Sequence, residues 1–135
     1  MNIRKLIFGT LMLALLVSCS KETLPSVVLS SDSNTVVIEG YTNKPAFLLN
    51  WTLSGGNADI TKQYIQFSSD VEFLTTYAAS SSGDSYVVTY KDLEKMNATF
   101  GATTDYVLYV RMLIEGEDVP SVYSNKLRIS IEMLK

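Results

Sequence analysis

The stretch YVLYVRMLI, residues 106–114, decides the fold class, because its residues alternate with a period of two. The residues on one side of this alternation are Tyr106, Leu108, Val110, Met112 and Ile114. In a β-strand, side chains two positions apart share a face, so the stretch predicts a strand with one face against a hydrophobic core. After a turn at residues 115–118, residues 127–133 repeat the alternation, which favours an antiparallel sheet with one solvated face.

Working outward from this stretch, further strand patterns occur at residues 27–29, 35–39, 46–53, 60–69 and 86–90. In the third of these, Phe47, Leu49, Trp51 and Leu53 share one face, so Trp51 is predicted to be buried in the core with them. Residues 71–79 fit no single pattern. Thr89-x-x-Asp92 resembles a capping box, which predicts a short helix that ends at Gly101. The sequence therefore predicts an all-β antiparallel sandwich of about seven strands with one short helical turn.

Composition excludes several functional classes. The chain has 135 residues, a net charge of −3, one cysteine and no histidine. Without histidine, Ser-His-Asp and Cys-His catalytic arrangements cannot form, and a zinc site is disfavoured. The sequence has no basic stripe for nucleic acid and no glycine-rich phosphate-binding motif. We therefore predict a protein that is not an enzyme and that has no cofactor, no metal and no nucleic-acid partner.

The acidic turn at Glu115, Glu117 and Asp118 suggests two further sites, and the sequence favours neither. Calcium takes six to eight oxygen ligands, and a single hairpin rarely supplies them, so a solvated turn is the preferred interpretation. A glycosidase needs two carboxylates across a cleft, and a single small sandwich offers no obvious cleft.

Residues 1–18 have the pattern of an export signal. Arg4 and Lys5 precede an apolar run at residues 6–17, which is shorter than the ~20 residues of a transmembrane helix. Leu16-Val17-Ser18-Cys19 resembles the lipobox of bacterial lipoproteins, in which the cysteine is acylated and becomes the first mature residue. The alternative is a plain signal peptide followed by an incidental cysteine. We therefore predict a lipoprotein signal peptide at 1–18, a tether at 19–26 and a sandwich domain at 27–135.

Ser20-Lys21-Glu22 follows the cysteine and resembles the surface-export signal of lipoproteins in Bacteroides-like bacteria. A solvated tether explains the same residues equally well. The prediction is a lipid-anchored outer-membrane protein, and the choice between the periplasmic and the external leaflet stays open.

Three motifs resemble a fibronectin-III or immunoglobulin-like domain. Trp51 lies in an early strand, Thr104-Asp105-Tyr106 opens the penultimate strand, and Ser124-Asn125 precedes the last one. By this resemblance, Tyr106 is either a core residue or the tyrosine corner of such folds.

The order of motifs along the chain is also similar to the N-terminal domain of SusE-type outer-membrane lipoproteins, which serve starch and glycan utilisation. The matching pieces are Thr35-Val36-Val37, Trp51, Tyr64-Ile65-Gln66-Phe67, Leu93, Val110-Arg111 and Tyr123-Ser124-Asn125. The resemblance implies an accessory or spacer module in polysaccharide capture, with a TonB-dependent transporter complex and a polysaccharide as partners. Glycan-binding residues of this family lie in later domains that this chain does not match, so none is carried over.

The alternation of side chains along the predicted strands indicates one candidate contact face. Tyr64, Tyr109, Arg111 and Arg128 are predicted to point outward from neighbouring strands, beside the apolar Val107 and Leu113. An outward face of this composition favours a contact surface, and ordinary cross-strand pairing is the alternative. The corresponding alternative function is a protein–protein interaction module that docks on a surface or transporter assembly without contacting sugar. Direct glycan binding is a third interpretation.

Overall fold

The computed structural model describes residues 22–134, so the predicted signal peptide and Cys19 lie outside the described residues. Within this range the chain forms nine strands and one helix. They are β1 (Ser26–Ser31), β2 (Thr35–Ile38), β3 (Pro45–Ser54), β4 (Lys62–Ser68), β5 (Tyr77–Ser80), β6 (Ser85–Thr89), α1 (Tyr90–Phe100), β7 (Tyr106–Gly116), β8 (Val119–Tyr123) and β9 (Leu127–Met133).

The strands form two sheets that make a sandwich. The smaller sheet has the order β1-β3-β6, and the larger has the order β2-β9-β7-β4-β5, with β8 paired to the second half of β7. Every pairing is antiparallel except that between β2 and β9, which is parallel. The predicted all-β sandwich is confirmed, and the parallel pairing of β2 with β9 departs from the predicted antiparallel arrangement.

The described residues form two strands more than the predicted number of about seven. β5 lies in the segment 71–79 that fitted no pattern, and β8 is a short edge strand that contains Pro120. Proline cannot donate a ladder hydrogen bond, so it marks edge strands and weakens the sequence signal for a strand.

The core lies between the two sheets. The side chains of Leu108, Val110, Met112 and Ile114 on β7 are fully buried, as the alternation predicts. Trp51 is 3% exposed, which confirms its prediction as a core residue. Leu53, predicted on the same buried face, is 42% exposed, because it lies next to the last residue of β3, at the end of the strand. Its indole N–H is buried without a hydrogen-bond partner.

Helix α1 follows from local sequence signals. The Thr89 hydroxyl accepts a hydrogen bond from the Asp92 N–H at 3.2 Å, and the Asp92 carboxylate accepts one from the Thr89 N–H at 3.0 Å. Gly101 ends the helix in the left-handed conformation, with a φ of 69°. The predicted capping box and helix stop are confirmed.

Tyr106 is tied to the end of α1. Its hydroxyl donates to Asn97 Oδ1 at 2.6 Å, and Asn97 Nδ2 donates to the Tyr41 hydroxyl at 3.0 Å. In a tyrosine corner the hydroxyl reaches back to the backbone upstream. Here it reaches back to a side chain, so the contact resembles that corner but has a different acceptor.

The described part of the predicted tether packs against the domain. Thr23 N–H donates to Asn57 Oδ1 at 3.0 Å, and the Thr23 carbonyl accepts from the N–H groups of Asn57 and Ala58. Leu24 and Pro25 are buried. Residues 23–25 are therefore fixed to the turn between β3 and β4, directly before β1 begins.

Candidate functional site

The four residues of the predicted contact face lie on neighbouring strands of the larger sheet. Tyr64 is on β4, Tyr109 and Arg111 are on β7, and Arg128 is on β9, with β7 between the other two strands. All four alternate with buried residues of the same strands, so they lie on the outer face of the sheet.

The register separates the four residues into pairs. Tyr109 lies opposite Arg128, whose guanidinium carbon is 5.9 Å from the centre of the tyrosine ring. Tyr64 lies opposite Leu113, further along the sheet. Cross-strand contacts of this kind stabilise a sheet by about 0.2–1 kcal/mol each.

Arg111 lies between two aromatic rings that were not among the residues predicted for the contact face. Its guanidinium carbon is 4.1 Å from the ring centre of Phe73 and 4.1 Å from that of Tyr123. Its Nε donates to Gln66 Oε1 at 2.7 Å. We call this group of Gln66, Phe73, Arg111 and Tyr123 the arginine clamp. Because the half-buried Arg111 joins three elements, it fixes the centre of the face.

Phe73 reaches Arg111 because the loop between β4 and β5 folds over the outer face. The Asp70 carboxylate accepts hydrogen bonds from the N–H groups of Glu72 and Leu74, at 3.2 and 3.0 Å. Phe73 has a φ of 56° and is only 7% exposed. Ser69-Asp70 was a usable turn signal, since aspartate side chains bond backbone N–H groups ahead of them in turns. Nothing in the strand pattern indicated that the loop would cover the sheet.

The accessible part of the face is a mixed apolar and cationic rim around the clamp. Leu74 is 82% exposed and Tyr123 is 51% exposed, and the Lys126 ammonium donates to the Val71 carbonyl at 2.9 Å. Tyr123 keeps one face of its ring on Arg111 while half of its surface remains open. These exposed groups suit a contact with the surface of another macromolecule better than the enclosure of a small molecule.

An open groove of about 580 Å³ adjoins Tyr64. The residues that line it are Ile60, Thr61, Lys62, Gln63, Tyr64, Ser80, Ser81, Ser82 and Gly83. The groove mixes hydroxyls, one amide and one ammonium group, so a hydroxyl-rich ligand would find both donors and acceptors there.

Residues 22–134 contain neither a cluster of metal ligands nor a membrane-spanning helix. No group of three or more Asp, Glu, His or Cys side chains in this range is placed to hold a metal ion. Within the same range, no helix is long and apolar enough to cross a membrane.

Comparison with protein families found no family model that matches the chain, and comparison with curated proteins found no match.

Proposed function

We propose that this protein is a non-catalytic, lipid-anchored, SusE-like outer-membrane lipoprotein that acts as an accessory or spacer module in polysaccharide capture and uptake. The lipobox-like residues 16–19 support the anchor, and the order of motifs along the sandwich supports the family. The observation that carries the proposal is the arginine clamp, since Arg111 lies 4.1 Å from the ring centre of Tyr123 and leaves that ring 51% exposed on the outer sheet face. Such a face suits an accessory subunit that contacts a larger assembly.

The alternative is an interaction module that docks on a surface or transporter assembly without touching sugar. Tyr123 and Arg111 favour it, because tyrosine and arginine most often dominate the binding energy of protein contacts. Both functions use the same face, and they differ in whether loss of the face also reduces polysaccharide binding.

The anchor is tested first. We expect the full-length protein to partition into the detergent phase and Cys19→Ser to remain in the aqueous phase, because two or three acyl chains hold a protein stably in a membrane. Equal partitioning of the two would contradict the lipoprotein assignment.

The face is tested with Tyr123→Ala, which removes the exposed ring, and with Val87→Ala on the smaller sheet as the matched control. Arg111→Ala is less suitable, because it would release Phe73 and Tyr123 together. We expect Tyr123→Ala to weaken the pull-down of the membrane complex from the source bacterium, and Val87→Ala to leave it unchanged. Equal pull-down by both variants would contradict a contact role for the outer face, whose residues would then serve only cross-strand pairing within the sheet.

Binding of a labelled polysaccharide to whole cells then separates the two functions. An accessory role in capture predicts less bound polysaccharide in cells that carry Tyr123→Ala. Unchanged polysaccharide binding together with a weakened pull-down would favour the docking module.

A further inference from the structure

Two cations meet on one aromatic ring of the arginine clamp. The guanidinium carbon of Arg111 is 4.1 Å from the ring centre of Phe73, and the Lys126 ammonium nitrogen is 5.8 Å from the same ring centre. Because both distances end at one point, the two charges are at most about 10 Å apart, close to the Debye length of about 8 Å at physiological ionic strength. Their mutual repulsion is therefore only partly screened, and it favours an anion beside them.

No described carboxylate of this chain serves as that anion. Among residues 22–134 the single salt bridge lies on α1, so Arg111 and Lys126 pair with no carboxylate in this range. The Asp70 carboxylate, on the loop that carries the clamp's phenylalanine, is occupied by two backbone N–H groups of the same loop. Glu72, also on this described loop, is exposed and pairs with neither cation. The protein as a whole has a net charge of −3, so this cationic site is a local feature of the contact face.

The Arg111 guanidinium has a free edge. Its Nε donates to Gln66 Oε1 at 2.7 Å, and its faces contact the rings of Phe73 and Tyr123. Neither terminal nitrogen has a hydrogen-bond partner among the described residues, and neither is a buried atom that lacks one, so both are open to solvent. Two free NH₂ groups on a planar guanidinium match the two oxygens of a carboxylate, and the stacked rings fix their orientation before binding.

The surroundings of these cations are exposed and apolar. Leu74 is 82% exposed, Tyr123 is 51% exposed and Val71 is 47% exposed. The Val71 carbonyl accepts a hydrogen bond from the Lys126 ammonium at 2.9 Å, so the aliphatic loop and the second cation are adjacent. Polysaccharide surfaces are dominated by hydroxyl groups, whereas protein interfaces bury aromatic and aliphatic side chains beside arginine. The composition of this rim therefore favours a protein as the occupant.

From these observations we infer that Arg111 and Lys126 bind a carboxylate on an acidic, partly apolar segment of a partner protein. The two oxygens of an aspartate or glutamate side chain accept hydrogen bonds from the terminal nitrogens of Arg111, and Lys126 supplies the second positive charge. Leu74 and Tyr123 contact the apolar neighbours of that acidic residue. The inference rests on the proposed contact role of this face, and it adds the chemistry of the partner.

The first measurement compares pull-downs of the membrane complex by full-length variants. Lys126→Gln removes one charge of the site, and Lys95→Gln removes one charge from an exposed position on α1 as the matched control. We expect Lys126→Gln to recover about two- to fivefold less complex, as the loss of one exposed ion pair predicts, and Lys95→Gln to recover as much as the unsubstituted protein. Equal recovery by the two variants would overturn the inference.

The second variant, Arg111→Lys, keeps the positive charge and removes the planar fork. We expect it to recover at least about fivefold less complex, because an ammonium group cannot form two parallel hydrogen bonds with one carboxylate. Undiminished recovery would overturn binding through the fork.

Carbodiimide crosslinking identifies what the site contacts and does not depend on the packing of Arg111. The reagent joins an amine to a carboxylate in direct contact, forming an amide while the carbodiimide takes up the elements of water and becomes a urea. On membranes that carry the full-length protein, we expect an amide between Lys126 Nζ and an aspartate or glutamate of another protein. Lys126→Arg keeps the charge but lacks the reactive amine, so it should abolish the product. An amide to a uronic acid of a polysaccharide, or no intermolecular product at Lys126, would overturn the inference.

Tyr123→Ala separates failure of this inference from failure of the proposed function. If Tyr123→Ala weakens the pull-down while Lys126→Gln and Arg111→Lys do not, the contact role stands and carboxylate recognition is overturned. If none of the three variants weakens it, the contact role and the inference are overturned together.

Discussion

Gly56 has two separate reasons to be glycine, and Gly55 beside it has one. Both have a φ of 72°, in the left-handed region that other residues adopt at a cost. A Cβ on Gly56 would lie 2.5 Å from the Pro25 nitrogen, whereas one on Gly55 would meet nothing within 4 Å. Comparing the two glycines therefore separates the cost of backbone strain from the cost of the close approach of residues 24 and 25.

We expect Gly55→Ala to lower the free energy of unfolding by about 1–2 kcal/mol, as the left-handed conformation requires. Gly56→Ala should cost clearly more, because the backbone at Leu24 and Pro25 must also move. Chemical denaturation of both variants measures the two losses. Equal losses would show that residues 24 and 25 do not pack on this turn.

Trp51 supplies the second prediction at this scale. Aromatic-to-alanine changes in a core cost about 3–5 kcal/mol, so Trp51→Ala should lower the free energy of unfolding by that amount. Trp51→Phe should cost less, since it keeps much of the ring and removes an indole N–H that has no partner. Denaturation curves check both values. A loss below about 1 kcal/mol for Trp51→Ala, far under the core range, would contradict its burial.

At the scale of elements, Ser124 and Asn125 connect β8 to β9 and join the two sheets. The Ser124 hydroxyl accepts from the Met112 N–H at 2.8 Å. The Asn125 side chain accepts from the Leu29 N–H at 2.8 Å and donates to the Leu29 carbonyl at 2.9 Å. The asparagine amide thus bonds the edge of β1 as a neighbouring strand would, which gives a physical reason for both residues of this motif.

Asn125→Ala leaves the N–H and the carbonyl of Leu29 without these partners. Unsatisfied, partly buried groups cost about 1–3 kcal/mol, so we expect a loss of stability in that range. Asn50→Ala, at an exposed site on β3, is the control and should change stability by less than about 0.5 kcal/mol. Equal effects in thermal or chemical denaturation would show that the amide bridge contributes little.

The elements that the sequence predicts are those that local patterns determine. β3, β7 and β9 follow from alternation, and α1 follows from the Thr89 cap and the Gly101 stop. The same alternation places the four candidate residues on one face. It does not reveal Phe73, which lies in a loop far from Arg111 in the sequence, or Tyr123, which lies on β8, a short strand whose pattern is weakened by Pro120. Contacts between a loop and a distant strand leave no periodic signal.

At the scale of the whole molecule, two partly buried tyrosine hydroxyls link stability to alkaline pH. Burial raises the pKa of Tyr106 above the ordinary value of 10.0, and the nearby Tyr41 adds to the effect. Burial, Asp92 and Tyr77 also raise the pKa of Tyr86, in that order. A raised pKa in the folded state means that the folded protein holds these protons more tightly than the unfolded chain does.

We therefore expect stability to be independent of these groups below about pH 10 and to fall as the pH rises further, because the unfolded chain loses the protons first. The stability of Tyr106→Phe should fall less steeply over this range, because the variant lacks this titrating hydroxyl. At neutral pH the variant should be less stable than the unsubstituted protein, because it loses the hydrogen bond to Asn97. Denaturation midpoints between pH 8 and 11 test this. Parallel slopes for the two proteins would contradict a raised pKa at Tyr106.

The parallel pairing of β2 with β9 has a consequence for the order of events during folding. Thr35 lies opposite Ser130, so the second of the described strands finds its neighbour only in the ninth. Pairings between such distant segments form slowly, because loop closure must precede the gain in contact energy. The larger sheet cannot be completed before β9 is made, and a truncated chain lacking β9 would leave the edges of both β2 and β7 open to association with other chains.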